Sequence, residues 1–368
     1  MDFRLDNEQR LLCESARDML SRECPPVRVK EIERSQPGYD TSLWRRVGSL
    51  GWLELAADHQ ALLESTLLCE ELGRASAPVP FLSTALVARA LQRSGGDAAE
   101  RWLARLCSAD AVGAVAITEH SARFDTAGVS AHVRSDGRGA RLFGEKMFVA
   151  DGEAADVLLV TALATDAAGS GMTLIAVDAG ADGVERRAMA TGPGVPAASV
   201  TLEGVSVSAA DMLAPSEDGE AVVRQLLDDA AVLGSGLMLG HAAQLCDSAV
   251  GYAKVREQFG VPIGSFQAVQ HRLADMATDV ETLRALVYAA AWKRARRESD
   301  AELAAAVAKA WGAEALERVV TGAHQVLAGI GYTDDHDIQL HTRRAPWYAA
   351  AYGETRSHYH RAAGLLGL

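Results

Sequence analysis

Apolar residues along the chain change their period twice. From Leu5 to about Cys107 they recur at helical spacing: "DNEQRLLCESARDML" opens with Asp6 in an N-cap position, and "SLWRRVGSLGWLEL" and "ALLESTLLCEELGRA" continue the pattern. From about Ala111 short apolar runs take over, split by Gly, Asp and Ser: "AVGAVAIT", "KMFVADG", "ADVLLVTAL", "GMTLIAVD" and "AASVTLEGVSV". Runs of this length, rich in Val, Thr and Ile, predict strands and a β-domain that ends near Leu213. After "APSEDGE" the helical period returns and persists. Phe266, Val269, Leu273, Met276, Val280, Leu283 and Val287 are spaced 3, 4, 3, 4, 3, 4 apart, which puts them on one stripe, as packing against an antiparallel neighbour requires. Ala-rich segments on both sides let helix axes approach closely and predict a bundle. The expected organisation is mostly α with a central β-domain: an N-terminal α-helical domain over 1–110, a middle β-domain over 111–215 and a C-terminal helical bundle over 216–368.

Composition narrows the function classes. A chain of 368 residues that is 49% hydrophobic buries a large core, so it is globular. Its net charge of -13 repels nucleic acid and anionic membrane surfaces, and neither is an expected partner. No run reaches the ~18 apolar residues of a membrane span, and the amphipathic, acidic start is unlike a secretory signal, so the expected location is the cytoplasm. Cys13, Cys24, Cys69, Cys107 and Cys246 lie far apart with no CxxC, which suggests buried thiols, with neither a disulfide framework nor a metal site.

One stretch carries more polar groups than a helical region needs. "VREQFGVPIGSFQAVQHRLADM", residues 255–276, gathers Arg256, Gln258, Phe259, Gln267, Gln270, His271 and Asp275 around a Gly-x-Pro break. Together with "AITE" (116–119), "GEKMFVADGEAADVLLVTA" (144–162) and "HQVLAGIGYTDDHD" (324–337), in this order and at these separations, it resembles the acyl-CoA dehydrogenase family of flavoproteins. The resemblance covers nearly the whole chain. It implies the family's architecture: an N-terminal helical domain, a middle β-barrel or sandwich and a C-terminal four-helix bundle. It also implies FAD as cofactor. A flat, apolar isoalloxazine with one polar edge needs strand backbone on that edge and an aromatic wall on a face. By resemblance Ile117 and Thr118 supply the edge, and Phe148, where the family usually has Trp, supplies the wall. A pyrophosphate needs a cation or bare backbone amides close by. Arg256, Phe259, Ile263 and Gln267 would hold one end of the FAD, and Gln325 and Gly329 of a neighbouring chain the other, which implies an oligomer.

The reaction implied is α,β-dehydrogenation of an acyl thioester, on CoA or a carrier protein, in lipid or polyketide metabolism, with an electron-transfer flavoprotein as a further partner. It needs a carboxylate to take the α-proton. The family places one either just before a Gly-Thr pair near the C-terminus or on the first long bundle helix. Here those positions fall at Tyr352, beside Gly353 and Glu354, and at Ala230, beside Asp228 and Asp229. Asp229 and Glu354 are therefore the candidate bases, against a reading of Asp228 and Asp229 as first-turn acids that stabilise the helix dipole. The acyl-pocket segments depart as well: Arg123-Phe124-Asp125 stands for the family's Gly-Ser-Asp, and "AADHQ" (56–60) for a longer Gly-rich loop. Three readings stay open: a working dehydrogenase, the base-less small-subunit type of a heteromeric actinobacterial dehydrogenase that completes its partner's FAD site, and a flavin oxygenase of the same fold.

Overall fold

The computed structural model describes residues 4–124, 126–135, 139–166, 169–191, 194–214 and 218–368. Seven helices come first: α1 (Asn7–Glu23), α2 (Pro26–Ile32), α3 (Thr41–Ser49), α4 (Trp52–Ala57), α5 (Leu62–Arg74), α6 (Phe81–Ser94) and α7 (Gly96–Cys107). Asp6 does cap α1. Its Oδ1 accepts from the Gln9 amide at 2.8 Å while Gln9 Oε1 accepts from the Asp6 amide at 3.1 Å, a reciprocal box that satisfies two otherwise orphaned donors. Seven strands follow: β1 (Gly113–Ala116), β2 (His132–Ser135), β3 (Ala140–Ala150), β4 (Val157–Asp166), β5 (Gly169–Asp178), β6 (Val184–Ala188) and β7 (Ala197–Val207). The chain closes with α8 (Gly219–Val255), the short strands β8 (Glu257–Gln258) and β9 (Val261–Pro262), α9 (Gln267–Ala295), α10 (Ala301–Leu327), α11 (Ile338–Ala350) and α12 (Thr355–Leu365).

The α, β, α succession is as expected, but packing does not follow its three blocks. A bundle unit gathers α1, α2, α5, α8 from Ala231 onward, and α9 to α12; a sheet unit gathers α3, α4, α6, α7, the strands β1 to β7 and the start of α8. The N-terminal helices therefore separate. α5 packs on α1 and α9, while α6 packs on β1, α4 and α7.

Within the sheet unit the described strands make one mixed sheet, ordered β1-β4-β2-β3-β7-β6, with β5 also on β4. β1 runs parallel to β4 with Ala116 opposite Val160, so the chain leaving β1 at Ile117 passes beside Thr161. β3 is antiparallel to β7, with a register shift between Lys146 and Val149. Leu142, Leu158, Val160, Ile175, Val200 and Val205 are fully buried in its core. Each contributes roughly 1.5–3 kcal/mol by leaving water. In the bundle unit the stripe on α9 is buried at Met276, Val280, Leu283 and Val287 and half-buried at Phe266, Val269 and Leu273. Small residues bring α5 and α8 together: a Cβ on Gly240 would lie 2.0 Å from the Glu70 carbonyl oxygen, and one on Gly73 2.3 Å from that of Leu237.

Candidate active site

In the sheet unit, Ile117 and Thr118 follow the end of β1 and are buried. The Thr118 carbonyl accepts from the Met147 amide at 2.8 Å, which ties the strand end to β3 one residue before Phe148. Thr118 Oγ1 is buried and has no hydrogen-bond partner among the described residues. Phe148 sits inside the register shift with a positive φ of 54°, a conformation bulky residues avoid, and the residue is 41% exposed. An aromatic side chain held in the left-handed region and turned to solvent, next along β3 to the residue that bonds the Thr118 carbonyl, fits a flat ligand with a polar edge. Ile117, Thr118 and Phe148 are thus brought together.

In the bundle unit the Gly-x-Pro break is a β-hairpin. Gln258 pairs with Val261 across a two-residue turn in which Phe259 (φ 56°) and Gly260 (φ 81°) are both left-handed, the geometry whose twist matches a hairpin. The turn lifts Phe259 to 92% exposure, with its ring 6.1 Å from that of Phe266. The expected bend between two long helices is this hairpin, followed by a 3-10 turn over Ile263–Ser265, after which Gln267 opens α9. The Ile263 amide donates to the Arg256 carbonyl at 2.8 Å, so Arg256, Phe259, Ile263 and Gln267 form one rigid corner. The Arg256 side chain is exposed on it, as a phosphate-binding cation must be.

The other expected pair lies at the end of α10. Gln325 is exposed in its last turn, and Gly329 is exposed in the 3-10 turn Ala328–Tyr332. A Cβ on Gly329 would meet nothing within 4 Å, so its backbone is open. Beneath the turn, His324 Nε2 lies 3.0 Å from Thr342 Oγ1, and burial, with His336 nearby, lowers its pKa.

The candidate bases fare differently. Asp229 is not a first-turn acid, because α8 begins at Gly219. It is buried and its Oδ2 accepts from Arg93 at 2.7 Å and from Arg89 Nε at 3.2 Å. Arg89, also buried, donates through Nη1 to the Ala56 and Asp58 carbonyls at 2.8 Å each, and so caps the C-terminal end of α4. The "AADHQ" loop is thereby clamped, and His59 beside Arg93 is pushed down to about 4 by burial and then by the two guanidinium groups. Protonating Asp229 would break both ion pairs, and in this structure it stands as the counter-ion of Arg89 and Arg93. Glu354 is exposed and precedes α12 without capping it. Tyr352 and Gly353, at the family's C-terminal base position, lie in a turn held by Lys309, whose buried ammonium donates to the Tyr348, Ala349 and Gly353 carbonyls at 3.1, 2.7 and 3.1 Å. Of Arg123-Phe124-Asp125, Asp125 lies outside the described residues.

Arg89, Arg93, Lys146 and Lys309 were not among the sequence candidates. For Arg89 and Lys309 a signal was present: a lone cation inside an apolar run, as in "FLSTALVARAL" or "AAAVAKAWGA", implies a buried partner. Among the described residues no group of three or more His, Cys, Asp or Glu side chains is placed to hold a metal ion, and no described helix is long and apolar enough to cross a membrane.

Residues 6–110, 114–205 and 217–363 match the N-terminal, middle and C-terminal domain models of acyl-CoA dehydrogenase, in that order. The acyl-CoA dehydrogenase FadE27 of Mycobacterium tuberculosis is 33% identical over 86% of this chain and 85% of its own length. Mitochondrial isovaleryl-CoA dehydrogenase of Pongo abelii is 30% identical over 95% of this chain and 86% of its own. The crystal structure of the ChsE4-ChsE5 complex from Mycobacterium tuberculosis superposes with a TM-score of 0.88 at 29% identity, covering 100% of this chain and 99% of that one. A flavin oxygenase reading is not needed. The chain belongs to the acyl-CoA dehydrogenase family, FAD-dependent oxidoreductases that act on CH–CH groups.

Proposed function

We propose that this chain dehydrogenates an acyl-CoA at its α and β carbons as one of two related subunits, and that the carboxylate which takes the α-proton comes from the other subunit. Ile117, Thr118 and Phe148 receive the flavin ring. Arg256, Phe259, Ile263 and Gln267 hold the pyrophosphate end, completed by Gln325 and Gly329 of a neighbouring chain. Bound there, FAD supplies the two-electron acceptor for the Cα–Cβ oxidation. Thr118 offers a hydroxyl to the ring's polar edge, the Phe148 ring excludes water from one face, and Arg256 neutralises phosphate charge. An electron-transfer flavoprotein is the proposed acceptor of the electrons.

The observation that carries the two-subunit reading is the commitment of Asp229 to Arg89 and Arg93. The match to one chain of the ChsE4-ChsE5 complex supports it. The test is Asp229→Asn in the intact assembly. Removing one partner of a buried ion pair costs about 3–5 kcal/mol, so the variant is expected to melt well below wild type while the surviving folded protein still loses its flavin colour with acyl-CoA. Wild-type melting with no loss of colour would make Asp229 the base and overturn the reading.

A further inference from the structure

Lys146 lies on β3 two residues before Phe148 and is fully buried. Its Nζ donates to Glu119 Oε1 at 2.8 Å, to Thr161 Oγ1 at 2.9 Å and to the Ile117 carbonyl at 3.3 Å, three acceptors for the three N–H groups of an ammonium. Glu119 is equally filled. Oε1 also accepts from the Ala131 amide at 3.0 Å, and Oε2 accepts from the Ser130 amide at 2.9 Å and from the Ser130 hydroxyl. The Lys146 and Glu119 side chains thus join the exit of β1, β3, β4 and the Ser130–Ala131 segment. Its members are satisfied; the neighbour left over is the Thr118 hydroxyl, buried without a partner.

Burial penalises both charges. It lowers the Lys146 ammonium to about 8 against the opposing pull of Glu119, while for Glu119 burial is outweighed by the hydrogen bonds from Lys146, Ser130 and Ala131, which hold the carboxyl below its ordinary range. A buried pair is seldom the most stable filling of its space, and well-packed apolar residues often do better. An apolar pair would remove the ammonium donor from the Ile117 carbonyl and leave it only a long contact from Thr161 Oγ1 at 3.5 Å, so the Ile117 side of the 117–118 peptide would be held less tightly. We propose that the Lys146–Glu119 pair is a positioning device for the cofactor: it fixes the Ile117–Thr118 peptide so that the Thr118 hydroxyl is presented to the flavin edge. Neither residue need touch the flavin. This rests on the FAD reading above.

The test compares the wild-type assembly with Lys146→Met and with the double variant Lys146→Met/Glu119→Gln, which leaves no lone buried charge. FAD is removed and rebound, its dissociation constant is read from flavin fluorescence, and melting is followed for the apoprotein. If the pair positions the strand end, the double variant keeps apoprotein melting near wild type yet binds FAD at least about tenfold more weakly, with a shifted visible flavin spectrum; Lys146→Met shows the same weakening in whatever fraction folds. Wild-type FAD affinity and spectrum in the double variant would overturn the proposal and leave the pair merely structural. Failure of the wild-type assembly to rebind FAD would instead remove the FAD reading on which it stands.

Discussion

A buried hydroxyl with no partner is unfavourable unless something fills the gap, and Thr118 Oγ1 is such a group. The Phe148 side chain and the Arg256 guanidinium on its hairpin are exposed groups of the opposite kind: positions that are poor for an isolated fold and good for a ligand. Their substitutions should therefore separate binding from stability. Thr118→Val is expected to leave the apoprotein at least as stable as wild type and to weaken FAD binding about tenfold, because one hydrogen bond to the cofactor is lost. Arg256→Ala, which removes a charge-assisted contact, is expected to weaken it on the order of tenfold to a hundredfold with unchanged melting. Equilibrium binding of FAD to the two apoproteins checks both, and equal affinity in all three proteins would unseat the assignment.

At the scale of elements, close approach is what the sequence specifies most tightly. Gly240 on α8 faces the Glu70 carbonyl of α5 so closely that an added methyl must push the helices apart. Gly240→Ala is expected to destabilise the chain by about 1–3 kcal/mol despite its better helix propensity, read as a fall in melting temperature; an unchanged or raised value would refute the packing account. Elements of this kind were legible in advance: the Asp6 cap, the α9 stripe, and β7 from Ala197 to Val207 all follow from period and turn chemistry. Others were not. β2 and β6 were missed because "HVRS" and "VERRA" are too short and too charged to show a strand period, and they form only because β3 and β7 offer them edges. In the site, motif order pointed to the candidate cofactor residues, whereas the ion pairs of Asp229 were not legible because they depend on Arg89 and Arg93, which lie 140 and 136 residues away in sequence. No local pattern encodes a contact at that distance.

For the molecule as a whole, buried imidazoles set the response to acid. In the bundle unit His241 Nδ1 lies 2.9 Å from His341 Nδ1, with Ser76, Tyr348 and Arg344 around them, and such a bond requires at least one neutral ring. Burial, followed by the Arg344 and Arg74 charges, lowers His341 to about 3, and burial with Lys309 lowers His358 to about 4. Unfolded, each titrates near its ordinary value of about 6.5. Between those values the unfolded chain holds more protons than the folded one. Stability is therefore fully present above about pH 6.5 and falls as pH drops toward the folded values, by roughly 2 kcal/mol per histidine at about pH 5. Asp151, raised to about 6 by burial, opposes the trend but is one group against several. Thermal melting from about pH 7 to about pH 5 is expected to shift steadily downward, and His341→Gln should flatten the slope; a pH-independent melting temperature would contradict the buried, neutral cluster.

The central claim is that this chain's residues hold FAD for acyl-CoA dehydrogenation alongside a related subunit. The most direct measurement is an anaerobic titration, with a series of saturated acyl-CoAs, of the assembly purified from its native host through a tag on this chain, following the visible flavin band. The account predicts a yellow protein that contains this chain and a related subunit, and that bleaches with an acyl-CoA but not with the corresponding free acid. A colourless protein, or a flavin that no acyl-CoA bleaches, would contradict it.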